Sequence, residues 1–275
     1  MNGLRNPVLV HAATLSALLA LASSPLADDG ARLRRPSKIV ERFAGWRASA
    51  SPQRVDVSVA PARDLPAFYA HFDDGVEIYE EGDYIVLESA GTPDHQSPYW
   101  GIGHPLYESP HEGMVVNPNR IEEQDMQMYV PTDPEFADRP GETDLGAIGM
   151  AVNGVALYNQ YAGRTPQGWL PLDREIDSFD RYHGHPQQQG QYHYHIEPVW
   201  LTAEDPSALV GVLLDGIPIY GPEELDGSVP GDLDECNGHV GPTPDTRSEV
   251  YHYHVTDVEP YLVGCYSGEE GYLSR

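Results

Sequence analysis

The sequence predicts a mainly β fold: an antiparallel, sandwich- or barrel-like single domain with an internal duplication about a pseudo-two-fold. Three observations lead there. The chain holds 27 Gly and 25 Pro in 275 residues, which suits short strands joined by many turns and argues against a helical bundle. Its apolar runs are short and flanked by turn dipeptides. A tetrapeptide, Tyr-His-Tyr-His, occurs twice, at 192–195 and at 251–254.

The elements follow in chain order. Residues 55–59 alternate as a strand does, and 75–89 read as a hairpin whose apolar arms flank Glu80-Glu81-Gly82-Asp83. Another strand is expected at 124–130. Residues 147–152 and 155–158 are apolar runs joined by Asn153-Gly154, a strong hairpin signal because both turn residues tolerate positive φ. Residues 209–214 and 217–220, joined by Asp215-Gly216, repeat the design 62 residues later. Helix signal is confined to one or two turns at 203–208.

The first 27 residues read as a signal peptide. Arg5 precedes an apolar run over 8–22, and Ala20-Leu21-Ala22 places small residues where a signal peptidase cleaves, with Ala27 as a second point. The run is short for a membrane span, which needs ~20 apolar residues, so a retained anchor is the weaker reading. A polar linker covers 28–54 and the β domain 55–275. The mature protein is expected to be periplasmic or secreted, and not an integral membrane protein. With 43 acidic residues against 16 basic ones the formal charge is −27, the wrong sign for nucleic acid or an anionic membrane surface. That acidity would also suit a high-salt habitat.

Cys236 and Cys265 are the only cysteines. In an oxidising compartment such a pair most simply forms a disulfide. A metal thiolate pair is the competing reading, disfavoured because neither has a CxxC partner.

After each Asn-Gly or Asp-Gly hairpin comes an acidic residue, a Gly-His pair and the tetrapeptide. These are Asp180, Gly184-His185 and 192–195 in the first half, about 145–200, and Asp234, Gly238-His239 and 251–254 in the second, about 207–268. The shared order marks a duplication. Two units are too few for a solenoid and are expected to pair within one domain.

Both tetrapeptides, with the run 215–222 and Cys236-Asn237-Gly238-His239, resemble the YHYH-domain proteins over roughly residues 73–268. The resemblance implies an exported, bacterial-type protein and names no reaction. Members often carry Cys where this chain has Tyr182, so a second disulfide is not implied here.

The chemistry rests on histidine. Residues two apart on a strand project from one face, so His193 shares a face with His195, and His252 with His254. Tyr192/Tyr194 and Tyr251/Tyr253 take the opposite faces. Two neutral imidazoles so placed can hold a transition metal if a third ligand arrives. His185 and His239 are the natural third ligands, and His183 thickens the first cluster. Asp180 and Asp234 could accept the distal imidazole N–H and fix the tautomer, as could the four tyrosine hydroxyls. The bland alternative is a structural His/Tyr network locking strands together.

Weaker candidates surround this set. His95, His104 and His111 could add a ligand to either site. Met126 and Met128 could form a soft pair but fit a core stripe better. The acidic stretch 226–235 lacks the order of a calcium loop. No Gly-x-Ser-x-Gly elbow, phosphate loop or HExxH is present.

Three functions fit. The first is an exported histidine-rich metal-binding protein, copper favoured and zinc second by intrinsic affinity order. The second is a metal-dependent envelope enzyme of unknown substrate. The third is a non-catalytic surface-binding module whose histidines are structural.

Overall fold

A computed structural model describes residues 65–274. The expected signal peptide (1–27), polar linker (28–54) and strand at 55–59 lie outside these residues. The described residues are mainly β, with sixteen strands and one short α-helix, α1 (Val199–Thr202). That helix sits just ahead of the expected 203–208. Pro206 explains the shift, since its ring and missing N–H block a helix running through that stretch. No helix among the described residues is long and apolar enough to cross a membrane.

A four-stranded antiparallel sheet runs β1 (Val76–Glu81), β2 (Tyr84–Ser89), β3 (Met126–Pro131), β16 (Tyr272–Leu273). Its first hairpin pairs Val76 with Ser89 through to Glu81 with Tyr84, closed at Gly82, whose φ is 64°. β3 alternates as read: Met126, Met128 and Val130 are buried, so both methionines are core residues.

Eight strands form the larger sheet. The first half of the chain supplies β5 (Ala147–Ala151), β6 (Ala156–Tyr158), β9 (Gly184–Pro186) and β10 (Tyr192–Tyr194). The second supplies β11 (Leu209–Leu213), β12 (Pro218–Tyr220), β13 (Gly238–Thr243) and β14 (Thr246–His254). The order is β13-β14-β12-β11-β5-β6-β10-β9, so each half is laid outward from a central antiparallel β5·β11 pair. Two pairings depart from the antiparallel expectation. β10 runs parallel to β6, and β14 parallel to β12, because a long connection in each half carries the chain back before it re-enters the sheet. Two-stranded sheets β4 (Phe136–Glu142) with β15 (Cys265–Gly268), and β7 (Tyr161–Thr165) with β8 (Gly168–Pro171), complete the fold. No sheet among the described residues closes into a barrel.

The core is shared by the two large sheets. Ile85, Leu87, Met128 and Val130 from the smaller belong to one cluster with Met150, Val212 and Leu213 from the larger. Cys236 and Cys265 are joined in a disulfide, which ties the loop before β13 to β15.

The two expected hairpins close identically. Gly154 N donates to Ala151 O and Ala151 N to Val155 O; Gly216 N donates to Leu213 O and Leu213 N to Ile217 O. These are three-residue tips in which only the glycine takes positive φ (80° and 76°). Both dipeptides sit at equivalent hairpin tips as expected, with the glycine alone using its tolerance of positive φ to close the tip. At the centre of the sheet Met150 pairs with Val212, each the counterpart of the other at the 62-residue spacing. Glycine is required on either side of that pair. A Cβ on Gly211 would run into Met150 O, and one on Gly149 into Val212 O and the Leu213 side chain.

Gly211→Ala should therefore force the central pair apart. We expect a loss of about 3 kcal/mol, the upper range for overpacking, read as a lower urea midpoint at unchanged slope. An alanine variant as stable as the parent would contradict this packing.

Candidate metal centres

Each tetrapeptide strand has a Gly-His strand as its neighbour, in the same register. His193 on β10 lies directly opposite His185 on β9, and His252 on β14 directly opposite His239 on β13. Period-two spacing then adds His195 and His254 to the same faces. The result is two three-histidine clusters. In the first, His193 Nε2 is 3.1 Å from His185 Nε2 and 3.1 Å from His195 Nε2. In the second, His252 Nε2 is 3.3 Å from His239 Nε2 and 3.0 Å from His254 Nε2. β10 and β14 are separated by four strands, so the clusters are distinct and the four tetrapeptide histidines do not share a single centre.

What the outer nitrogens do decides the chemistry. His193 Nδ1 donates to Gln191 O at 3.1 Å, and His252 Nδ1 to Val250 O at 3.0 Å, each the carbonyl two residues back. His195 Nδ1 donates to Asn159 O at 2.5 Å and His254 Nδ1 to Gly221 O at 2.7 Å. His185 Nδ1 reaches Ser178 Oγ at 2.7 Å, an oxygen whose own hydrogen goes to Glu175 O. His239 Nδ1 reaches Asp232 Oδ1 at 2.9 Å. A neutral imidazole carries one N–H. With that hydrogen used at Nδ1, the Nε2 atoms of His185, His193, His195, His252 and His254 present lone pairs to their neighbours, whereas His239 has a carboxylate oxygen at each ring nitrogen.

Burial keeps five of the six rings neutral. Desolvation, then the neighbouring imidazoles, push His185 and His193 well below the usual histidine range. Desolvation takes His195 and His254 to about 4 and lowers His252.

Each cluster also has a carboxylate that no motif announced. Glu175 Oε2 stands 3.5 Å from His185 Nε2 and 3.8 Å from His195 Nε2. Glu224 Oε1 stands 3.1 Å from His239 Nε2 and 4.0 Å from His254 Nε2. Burial raises Glu175 to about 7 and raises Glu224 as well. The donor atoms of Glu224, His239, His252 and His254 all lie within 4.8 Å of one another, as do those of His185, His193 and His195.

The remaining expected residues serve elsewhere. Asp180 and Asp234 touch no imidazole. Asp180 Oδ1 accepts the N–H groups of Tyr182 and Gly184, and its Oδ2 accepts the Tyr192 hydroxyl. Asp234 does the same for Cys236, Gly238 and Tyr251. A carboxylate two to four residues ahead of a turn is better placed to satisfy turn N–H groups than a ring on the opposite strand face. The tyrosines face away from the clusters, as alternation requires. Tyr194 OH meets His95 Nε2 at 2.8 Å, and Tyr253 OH donates to Asp215 Oδ2 at 2.6 Å. Tyr182, at the position matching Cys236, packs its ring against His95 and Trp200. His183 hydrogen-bonds Glu197 O, His104 stacks on Trp100, and His111 bonds Phe179 O. None of His95, His104, His111 or His183 enters either cluster among the described residues. The acidic stretch 226–235 does contribute, through Asp232 at His239 Nδ1.

A family model described as YHYH protein matches residues 127–230 and 224–268. The chain belongs to the YHYH family. Both histidine clusters and both carboxylates fall within the YHYH match. It begins in β3, so β1 and β2, inside the wider resemblance read from the motifs, lie outside it. No curated protein and no solved structure matches the chain.

The neutral state of the rings has a pH consequence in the metal-free protein. Five histidines have folded pKa values below the unfolded 6.5, so between pH 6.5 and 4 the unfolded chain binds more protons, and stability falls as pH falls. His195 and His254 should each account for a loss on the order of 3 kcal/mol. Glu175 and Asp215, raised by burial to about 7 and about 6, work in the opposite direction and offset part of it. Urea unfolding of the chelator-treated protein should show a net decline from pH 6.5 to 4. A flat or rising profile would mean that the rings are charged in the folded state.

Proposed function

We propose that this is an exported transition-metal-binding protein that holds one ion on His185, His193 and His195 and a second on His239, His252 and His254. Copper is favoured over zinc, on the affinity order of imidazole sites for divalent metals. The observation that carries the reading is the convergence of lone pairs. In each cluster the central Nε2, of His193 or His252, stands 3.0–3.3 Å from the other two, and lone pairs brought this close are mutually repulsive until a cation sits among them. Ligand bonds of ~2.0–2.1 Å at tetrahedral or square angles give nitrogen separations of about 3–3.4 Å, which is the spacing seen. Outward hydrogen bonds from ligating histidines to carbonyl or carboxylate oxygen are the usual support of such a site.

Export is part of the same reading. It rests on the N-terminal pattern of residues 1–27 and on the Cys236–Cys265 disulfide, which needs an oxidising compartment to persist. So is the duplication, supported by the matched plan of the two halves and the counterpart pairing at Met150 and Val212.

Elemental analysis of the protein purified from its own compartment should find close to two equivalents of metal per chain. His193→Ala with His195→Ala should reduce this to about one while a folded circular dichroism spectrum persists, and the second cluster's counterpart should behave alike. Protein that carries no metal and takes up neither copper nor zinc, with the double variant merely unstable, would leave the histidines as a structural network.

A further inference from the structure

The two centres match in their histidines and differ in what surrounds the fourth position. In the second, Glu224 joins the three imidazoles in one set of donors within 4.8 Å, and its carboxylate is 3.1 Å from His239 Nε2. In the first, Glu175 falls outside the corresponding set, and its nearest contact is longer, 3.5 Å. Beside it lies a cavity of about 1030 Å³ whose wall includes His185, His193, His195 and Glu175. Depth does not explain the difference. Asp232, the partner of His239, is 76% exposed, whereas all three histidines of the first centre are buried. The cluster whose three histidines are all buried is the one that faces the large void.

From this we infer that the first centre keeps a coordination position open to the cavity for an exogenous ligand, and that the second is closed by Glu224. Four protein ligands make a closed site, and three with a vacant position make one that accepts water or substrate. The inference rests on the metal-binding reading above. The chemistry of the cavity limits the class of ligand. Asn117, Gln187, Gln191 and Tyr158 give it neutral polar walls, and Asp125 and Asp177 add negative charge with Arg174 as the counterweight. A neutral, polar molecule with an oxygen or nitrogen donor fits there, and a polyanion does not. Glu175, 34% exposed and beside the open position, stands where its carboxylate can accept a hydrogen bond from such a donor.

Solvent-proton relaxation of the copper(II)-loaded protein tests this, because it reports exchangeable water on the ion and does not depend on a charged probe. The protein with two coppers should show inner-sphere relaxation that His193→Ala/His195→Ala removes and His252→Ala/His254→Ala retains. Glu224→Ala, a substitution in a loop outside the sheet, should open the second centre and raise the relaxation roughly twofold. That arm stands even where a histidine variant does not fold. Two bound coppers with no inner-sphere water, or with water that follows the second cluster instead of the first, would overturn the inference and leave metal binding intact. Failure to bind copper at all would overturn both.

Discussion

The structure depends on where six imidazole hydrogens go. Each Nδ1–H is given outward: four to main-chain carbonyls, one to a serine hydroxyl and one to an aspartate. A buried polar group left unpaired costs roughly 1–3 kcal/mol, so these bonds fix both ring orientation and tautomer. Once they are made, the inner nitrogens of His185, His193, His195, His252 and His254 have only lone pairs to offer one another. A purely structural network would alternate donors and acceptors around the ring of histidines. This one collects acceptors, an arrangement that a cation resolves and a hydrophobic core does not.

The face behind the histidines explains how the strands are held so closely. Tyr192 lies across Gly184, and Tyr251 across Gly238, so near that a Cβ on either glycine would overlap the ring. Each of these tyrosine hydroxyls then ends on the aspartate that also holds the turn before its Gly-His strand. The tetrapeptide therefore works on both faces. Its histidines form the centre in front, and its tyrosines clamp the neighbouring strand from behind, so that His185 and His239 arrive opposite His193 and His252. His183 and Asn237 complete the turn with positive φ of 71° and 69°, immediately ahead of the glycines.

What was legible in the sequence was whatever has a short period. Alternation put the tetrapeptide side chains on faces that can be named in advance, and the Gly-containing tips marked the two equivalent hairpins. Long-range information was not legible. Glu175 and Glu224 are two among 43 acidic residues, at different distances from their Gly-His pairs, and only the folded loops bring them to the clusters. Ser178 and Asp232 are the oxygen partners of His185 and His239, but they differ in type, so comparing the halves by identity misses them. Asp180 and Asp234 were placed beside the rings because they precede the histidines in sequence; the turn N–H groups are nearer in space and take them. The parallel pairing of β10 with β6 and β14 with β12 also hides from local pattern, since a strand's partner depends on the path of the connection. The strand order sends the tetrapeptides toward opposite ends of the sheet and makes two clusters where one was conceivable.

The acidity of the chain and the neutrality of its clusters belong to one physical scheme. A formal charge of −27 concentrates cations of every kind near the surface, with no preference among them. Hard cations such as calcium and magnesium are satisfied by the oxygens there. Entry to the clusters demands imidazole coordination, which such ions gain little from and borderline metals gain much from. The rings can offer it because burial keeps them unprotonated near neutral pH, and the outward hydrogen bonds keep the lone pairs pointed inward. Under the proposed function, attraction is thus general and long-ranged, selection local and short-ranged. A carboxylate within reach of each cluster joins the two, since it lowers the positive charge an ion brings into a buried site without supplying an oxygen cage that a hard cation would prefer.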